Sequence, residues 1–230
     1  MTEPSSYGQF CPVSMAAEVL CSRWTVVLLR ELLAGSTRFN DLRRGLPRMS
    51  PTLLSKRLKE LELAGVVHTV HTTGGLFEYH LTEAGEELLP IVMGIGFWGQ
   101  RWVESRLSLR NLDPALLMWD MRRNLATDPL PKRRCTIQFL YPELAPAQRN
   151  YWLVVESGRV DLCSFDPGYE VDLLVTSSLR TMTSIWMGVA RLSAEVEAGK
   201  VQLDGDPAIA RAMQHWLKLS PFAPGERRVA

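Results

Sequence analysis

Between Ser36 and Leu81 the chain lays out helix, turn, helix and two paired strands without interruption. Asn40 is a good N-cap for a short helix through Asp41, Leu42, Arg43 and Arg44, which ends at Gly45-Leu46-Pro47. Ser50-Pro51 then supplies a second N-cap with proline at the first helical position. The second helix is predicted to run from Thr52 to Ala64 and to stop at Gly65, a natural C′ residue. Two alternating segments follow, Val66–Val70 and Phe77–Leu81, joined through Thr72-Thr73-Gly74-Gly75.

The faces of the second helix separate cleanly. Leu54, Leu58 and Leu61 recur at i, i+4 and i+7 and form an inward stripe. Thr52, Ser55, Lys56 and Lys59 recur on a different face, and all are short polar or cationic. Such side chains donate to base edges and phosphates, and a helix N-terminus adds a positive end near the backbone. From Ser36 to Glu60 there are seven cations (Arg38, Arg43, Arg44, Arg48, Lys56, Arg57, Lys59) against two anions, whereas the whole chain is only +1. The positive charge is concentrated in this module. Cap, turn, helix and hairpin in this order are the layout of a winged helix-turn-helix, and they predict contact with double-stranded DNA. The candidate DNA-binding residues are Arg38, Arg43, Arg44, Arg48, Ser50, Thr52, Ser55, Lys56 and Lys59.

A family resemblance rests on these residues and their neighbours. Cys11-Pro12-Val13, Arg23-Trp24-Thr25, Leu29-Arg30-Glu31-Leu32 and Arg38-Phe39-Asn40-Asp41-Leu42 open the pattern. Ser50-Pro51, Leu58-Lys59-Glu60-Leu61, Tyr79-His80-Leu81-Thr82-Glu83-Ala84-Gly85 and Leu88-Leu89-Pro90 continue it. Over about residues 8 to 106 the chain resembles the HxlR group of winged-helix regulators. The resemblance implies a homodimer on a roughly palindromic operator, often as a repressor. One departure is the wing tip, which is short, Gly-rich and without arginine.

At 230 residues there is room for one or two domains with real cores. The N-terminus has neither a basic n-region nor an apolar h-region, which argues against secretion. The weakly charged stretch Leu88–Gln100 is too short to span a bilayer and is broken by Gly94, Gly96 and Gly99. A cytoplasmic protein with no membrane partner is expected. Cys11, Cys21, Cys135 and Cys163 lack metal-ligand spacing and are expected to be reduced in the cytosol. Cys11 and Cys21 flank one short helix, about 15 Å apart, too far to pair within the chain. Cys11 precedes Pro12 at a helix start, where the positive helix end lowers a thiol pKa; it is either a redox sensor or a partly buried small residue.

After the wing, Thr82 as N-cap with Glu83, Glu86 and Glu87 predicts a helix through Ile91, Ile95, Trp98 and Trp102 to about Arg106. Gly96 and Gly99 permit a close approach, so this is the expected dimer helix, joined by Pro12–Leu20. A boundary falls near Ser108 to Pro114. Beyond it come a helix over Pro114–Ala126, strands over Cys135–Leu140, Tyr151–Glu156, Arg159–Phe165 and Val171–Val175, and helices over Ser177–Met187 and Val189–Ala198. A strand over Lys200–Leu203 and a final helix over Pro207–Leu219 complete the reading. With twelve cations and thirteen anions from Leu112 to Leu219, this half is not expected to be a second DNA reader.

Within it, the pattern from Tyr169 to Leu217 resembles the C-terminal part of sterol-carrier-protein-like domains. The matching features are Asp172-Leu173, a helix ending near Trp186-Met187, Gly199-Lys200-Val201, Gly205-Asp206 and a closing helix through Met213. The resemblance implies an α+β domain around an apolar tunnel, with Met182, Ile185, Trp186, Met187, Met213 and Trp216 as candidate walls for a small-molecule effector. The same side chains serve equally as core.

No nucleophile elbow, phosphate-cradling glycine loop or zinc-binding His pair occurs, so catalytic residues, metal and cofactor are all expected to be none. His68 and His71 fall on opposite faces of a strand, as wing residues. The fold class expected is α+β, with a winged helix-turn-helix over 1–108, a sterol-carrier-like domain over 112–220 and a tail over 221–230. The function expected is transcriptional repression as a homodimer on palindromic duplex DNA, modulated by an apolar small molecule or by oxidation of Cys11. The alternative is a lipid-carrier or enzyme-accessory protein whose winged helix makes protein contacts.

Overall fold

The computed structural model describes residues 6–72, 74–103, 109, 111–225 and 228, and divides into two compact units, Met1–Gly96 and Phe97–Ala230. In the first unit, α1 (Pro12–Leu20), α2 (Thr25–Leu33), α3 (Phe39–Gly45) and α4 (Pro51–Leu63) precede a hairpin of β1 (Val67–His71) and β2 (Phe77–Leu81). The strands pair antiparallel from Val67 opposite Leu81 to His71 opposite Phe77, and Arg38 bridges to Glu78 beside them. Leu28, Leu29 and Leu32 of α2, Leu42 of α3 and Leu54, Leu58 and Leu61 of α4 are buried together with Val66, Val67 and Val92. The inward stripe expected of the second helix is therefore the seam of this core.

One helix start and the continuity of another helix differ from the sequence reading. The first helix of the module begins at Phe39 with Arg38 in the N-cap position and no side-chain cap, so Asn40 lies inside the first turn instead of capping it. The helix expected from Thr82 is broken: α5 (Glu83–Glu86) is capped by Thr82 Oγ1, and a separate α6 spans Leu89–Trp102. Pro90 explains the break, because in one continuous helix it would remove a ladder donor and crowd the carbonyl a turn earlier. In the first turn of a new helix it costs little. Arg106 and Ser108 lie outside the described residues.

The second unit contains α7 (Pro114–Asn124), capped by Asp113 Oδ1, and a five-stranded sheet. Its strands are β3 (Cys135–Leu140), β4 (Asn150–Glu156), β5 (Arg159–Cys163), β6 (Leu173–Ser177) and β7 (Val201–Gly205), in the order β5-β4-β3-β6-β7. Only the β3–β6 pair is parallel, and this sets the start of β6 at Leu173 opposite Ile137, two residues later than expected. Asp172 just before it accepts from the Thr136 amide and pairs with Arg133. The helices α8 (Leu179–Trp186), α9 (Leu192–Glu197), α10 (Pro207–Arg211) and α11 (Met213–Trp216) are shorter than their predicted spans. The closing segment breaks at Ala212, where one continuous helix to Leu219 was expected. Cys135, Ile137, Phe139, Leu153 and Val175 form one buried cluster with the inward side chains of α7, α8, α10 and α11.

Among the described residues no single helix is long and apolar enough to cross a membrane. The pair α1 and α2 passes by length and composition but is bent by 82°, and α2 buries Leu28, Leu29 and Leu32 in the core of its unit.

Candidate nucleic-acid interface

The connection between α3 and α4 is held from beneath. Glu31, fully buried on α2, pairs with Arg30 and accepts from Ser36 Oγ at 3.4 Å, while Arg30 Nη2 donates to the Gly45 carbonyl at 3.1 Å. Gly45 packs directly on the Glu31 carboxylate: a Cβ there would sit 1.9 Å from Glu31 Oε2. Leu46 and Met49 in the turn are buried, so α3 ends, and α4 begins, at fixed points.

At the start of α4, Ser50 Oγ accepts from the Leu53 amide at 3.3 Å and Pro51 takes the first helical position. Thr52, Ser55, Lys56 and Lys59 are all exposed, opposite the buried leucines. Lys56 Nζ lies 3.9 Å from Glu60 Oε1 with two thirds of its side chain in solvent. Such a pair is screened and worth little, so a phosphate can replace the carboxylate at small cost. Ser50 Oγ only accepts in this cap, so its O–H can still donate to a phosphate.

The arginines divide in a way the sequence did not disclose. Arg43, Arg44 and Arg48 are exposed around the last turn of α3 and the connection, with Arg44 3.8 Å from Asp41. Arg38 Nε donates to Glu78 Oε1 on the wing at 3.1 Å, and His80 Nε2 lies 3.2 Å from Glu78 Oε2. The Arg38 guanidinium, followed by His80, holds the Glu78 carboxyl below the usual carboxylate range, so this lock persists through neutral pH and is lost only on acidification. Arg57 is turned inward and touches the α1–α2 turn. His68 stacks on His80 across the hairpin, as wing residues should. At the tip, the Thr72 amide and Oγ1 both donate to the Leu76 carbonyl, and Gly75 takes φ +72°. Thr73 lies outside the described residues.

Behind this surface, α1, α2 and α6 enclose an apolar groove of about 230 Å³ lined by Val13, Ala17, Leu20, Leu29, Ile91 and Ile95 among others. Ile91, Ile95, Trp98 and Trp102, at helical spacing on α6, are about half exposed or more, as are Phe10, Val13 and Met15 at α1. A Cβ added at Gly94 or Gly99 would meet nothing within 4 Å. Cys11 sits at the N-cap of α1, where the Ser14 amide, then that of Val13, hold its thiol below the ordinary value. Cys135 is the opposite case: burial, with Asp172 nearby, pushes it up to about 11. In the second unit Met182, Ile185, Trp186, Met213 and Trp216 are all buried in the core cluster, Met187 packs at its margin, and Trp216 Nε1 donates to the Ile209 carbonyl.

A capped, cation-faced second helix beside a hairpin defines a winged helix-turn-helix protein of the transcriptional-regulator class. Residues 19–107 match the HxlR-like helix-turn-helix family. The chain is 39% identical over 100 residues to the HTH-type transcriptional regulator YvaP of Bacillus subtilis, covering 42% of this chain and 93% of that relative. It is 37% identical over 92 residues to YybR of the same organism, covering 39% of this chain and 74% of the relative. A solved structure, the redox regulator HypR in its reduced form, matches at 36% identity with a TM-score of 0.37, over 39% of this chain and 91% of that one. The chain belongs to the HxlR-like helix-turn-helix family. The family match ends at residue 107, ahead of α7 and the five-stranded sheet.

Proposed function

We propose that the chain is a homodimeric DNA-binding repressor that reads a roughly palindromic operator with α4. The exposed face formed by Thr52, Ser55, Lys56 and Lys59, fixed from behind by the buried leucines of the same helix, carries the reading. Arg43, Arg44 and Arg48 supply phosphate contacts beside it, Arg38 positions the wing through Glu78, and Ser50 fixes the helix start. A second copy covers the α1–α6 groove, a reading supported by the exposed apolar row on α6 and the open space at Gly94 and Gly99. Two-fold pairing places two recognition helices on successive major grooves, about 34 Å apart.

Lys56→Ala and Lys59→Ala are each expected to weaken duplex binding and to flatten its dependence on log salt by about one unit, whereas Gly74→Ala at the arginine-free tip changes little. Anisotropy titrations at several salt concentrations measure this. Unchanged affinity in both lysine variants takes α4 out of the groove.

The domains proposed are a reader over 1–108, a sterol-carrier-like effector domain over 112–220 and a tail over 221–230. The effector reading is supported by the α+β composition of the second unit and its many Met and Trp side chains. Because five of the six wall candidates are packed in the core, an apolar ligand enters only by displacing them. Thiol modulation is supported by the depressed Cys11. Its thiolate forms at lower pH than an ordinary cysteine's, so oxidation at neutral pH favours Cys11 over Cys135. Repeating the DNA titration with a mild oxidant, and again with a fatty-acid-like probe, separates the two inputs. The oxidant response is expected to vanish in Cys11→Ser and the probe response in Met213→Trp. Wild-type binding indifferent to an input removes that input.

A further inference from the structure

We infer that Arg57 is a positioning residue that sets the recognition helix from behind and touches no nucleic acid. The inference rests on the reading of α4 as the DNA-facing helix. In sequence Arg57 stands between Lys56 and Lys59 and counts as one of the module's cations. In the fold it parts company with them. Its side chain is only 16% exposed, against 66% for Lys56. Arg57 Nε donates to the backbone carbonyl of Arg23 at 3.2 Å, and Nη1 pairs with Glu60 one turn along the same helix. The planar fork of a guanidinium suits this double duty, since separate N–H groups engage carbonyl and carboxylate in fixed directions.

The acceptor lies in a turn closed by the Thr25 amide, which donates to the Ser22 carbonyl at 3.0 Å. Arg23 lies in the turn between α1 and α2, and the next residue, Trp24, takes φ +81° as the N-cap of α2, a left-handed conformation uncommon for a bulky residue. The buried stripe Leu54, Leu58 and Leu61 fixes how far α4 lies from the core. Apolar contacts are non-directional, so the leucine stripe selects the inward face of α4 but sets its exact rotation only coarsely. A directional bond from Arg57 to the α1–α2 turn supplies what they lack, and so sets where Lys56 and Lys59 point. Cys21 ends α1 at that same turn and lines the apolar groove, so the recognition helix is tied to the segment that flanks the proposed dimer contact.

Salt dependence separates positioning from phosphate contact, because only a lost phosphate contact flattens the slope of log affinity against log salt, by about 0.9 per contact. The full-length protein would be titrated at several salt concentrations with a duplex of about 30 base pairs, enough for two half-sites a helical turn apart, selected on the wild type from a randomised pool. Arg57→Gln and Arg57→Lys are both expected to bind about tenfold more weakly, the scale of a lost hydrogen bond to a charged group, with the wild-type slope retained. Lys56→Ala in the same series flattens the slope. Arg57→Lys keeps the charge, so it decides the matter even where the glutamine variant folds poorly, with circular dichroism checking both. Wild-type affinity in Arg57→Lys, a flattened slope in Arg57→Gln, or unchanged affinity in both overturns the proposal. Absence of salt-dependent duplex binding in the wild type instead defeats the DNA-binding reading itself.

Discussion

Gly45→Ala is expected to destabilise the winged-helix unit by up to roughly 3–5 kcal/mol, the range for breaking a fully buried ion pair, since Glu31 is buried and Arg30 only partly so, and to abolish DNA binding with it. The new Cβ would lie 1.9 Å from Glu31 Oε2 and 2.0 Å from Glu31 Cδ. A flexible exposed side chain would swing aside, but Glu31 is fully buried and committed to Arg30 and Ser36. Moving it strands a charge in the core or pushes α3 away from α2. Urea denaturation followed by circular dichroism measures the loss. Gly45→Ala combined with Glu31→Ala should be less unstable than the sum of the two single changes, because the clash disappears with the carboxylate. A Gly45→Ala protein within about 0.5 kcal/mol of wild type, the range of an ordinary surface change, would show that the Glu31 pocket gives way.

That pocket marks where the sequence stops being legible. Ser50-Pro51 and the Leu54, Leu58, Leu61 row announce α4 directly, because a cap and a helical stripe are local signals, and the structure carries both. Glu31 gives no such signal. It stands in the run Leu28–Leu33, where a carboxylate would be assigned to solvent, and its burial follows from Arg30, Ser36 and Gly45 closing over it. Arg38 and Glu78 are forty residues apart, and no periodicity links them. The inward turn of Arg57 depends on a carbonyl in a different helix connection. Charge counting finds the cationic module but does not separate arginines that face solvent from arginines that brace the fold. The break before α6 has a local cause that is readable in the chain, since Leu88-Leu89-Pro90 carries its own stop signal. In the second unit the β6 start depended on parallel pairing with β3, a contact across the sequence that strand propensity does not encode.

Ile95→Arg is expected to convert the protein to a monomer and to weaken operator binding by about a hundredfold or more, the scale on which joining two binding modules raises affinity. Ile95 lines the α1–α6 groove and is about half exposed, within the row Ile91, Ile95, Trp98, Trp102. In a free chain an arginine there extends into water at little cost, so the fold survives. Beneath a second copy it would be desolvated with no carboxylate among the groove residues to pair with it, a cost of several kcal/mol per ion, paid twice across a two-fold interface. Each monomer then meets one half-site, and the second major-groove contact is no longer delivered by the first. Sedimentation velocity reports the assembly and anisotropy the binding. The two readouts must move together: the variant should dissociate, and its salt slope should fall toward half the wild-type value as half the phosphate contacts are lost. A wild-type protein that sediments as a monomer while binding tightly, or an Ile95→Arg protein that remains dimeric, would place the dimer contact away from this groove.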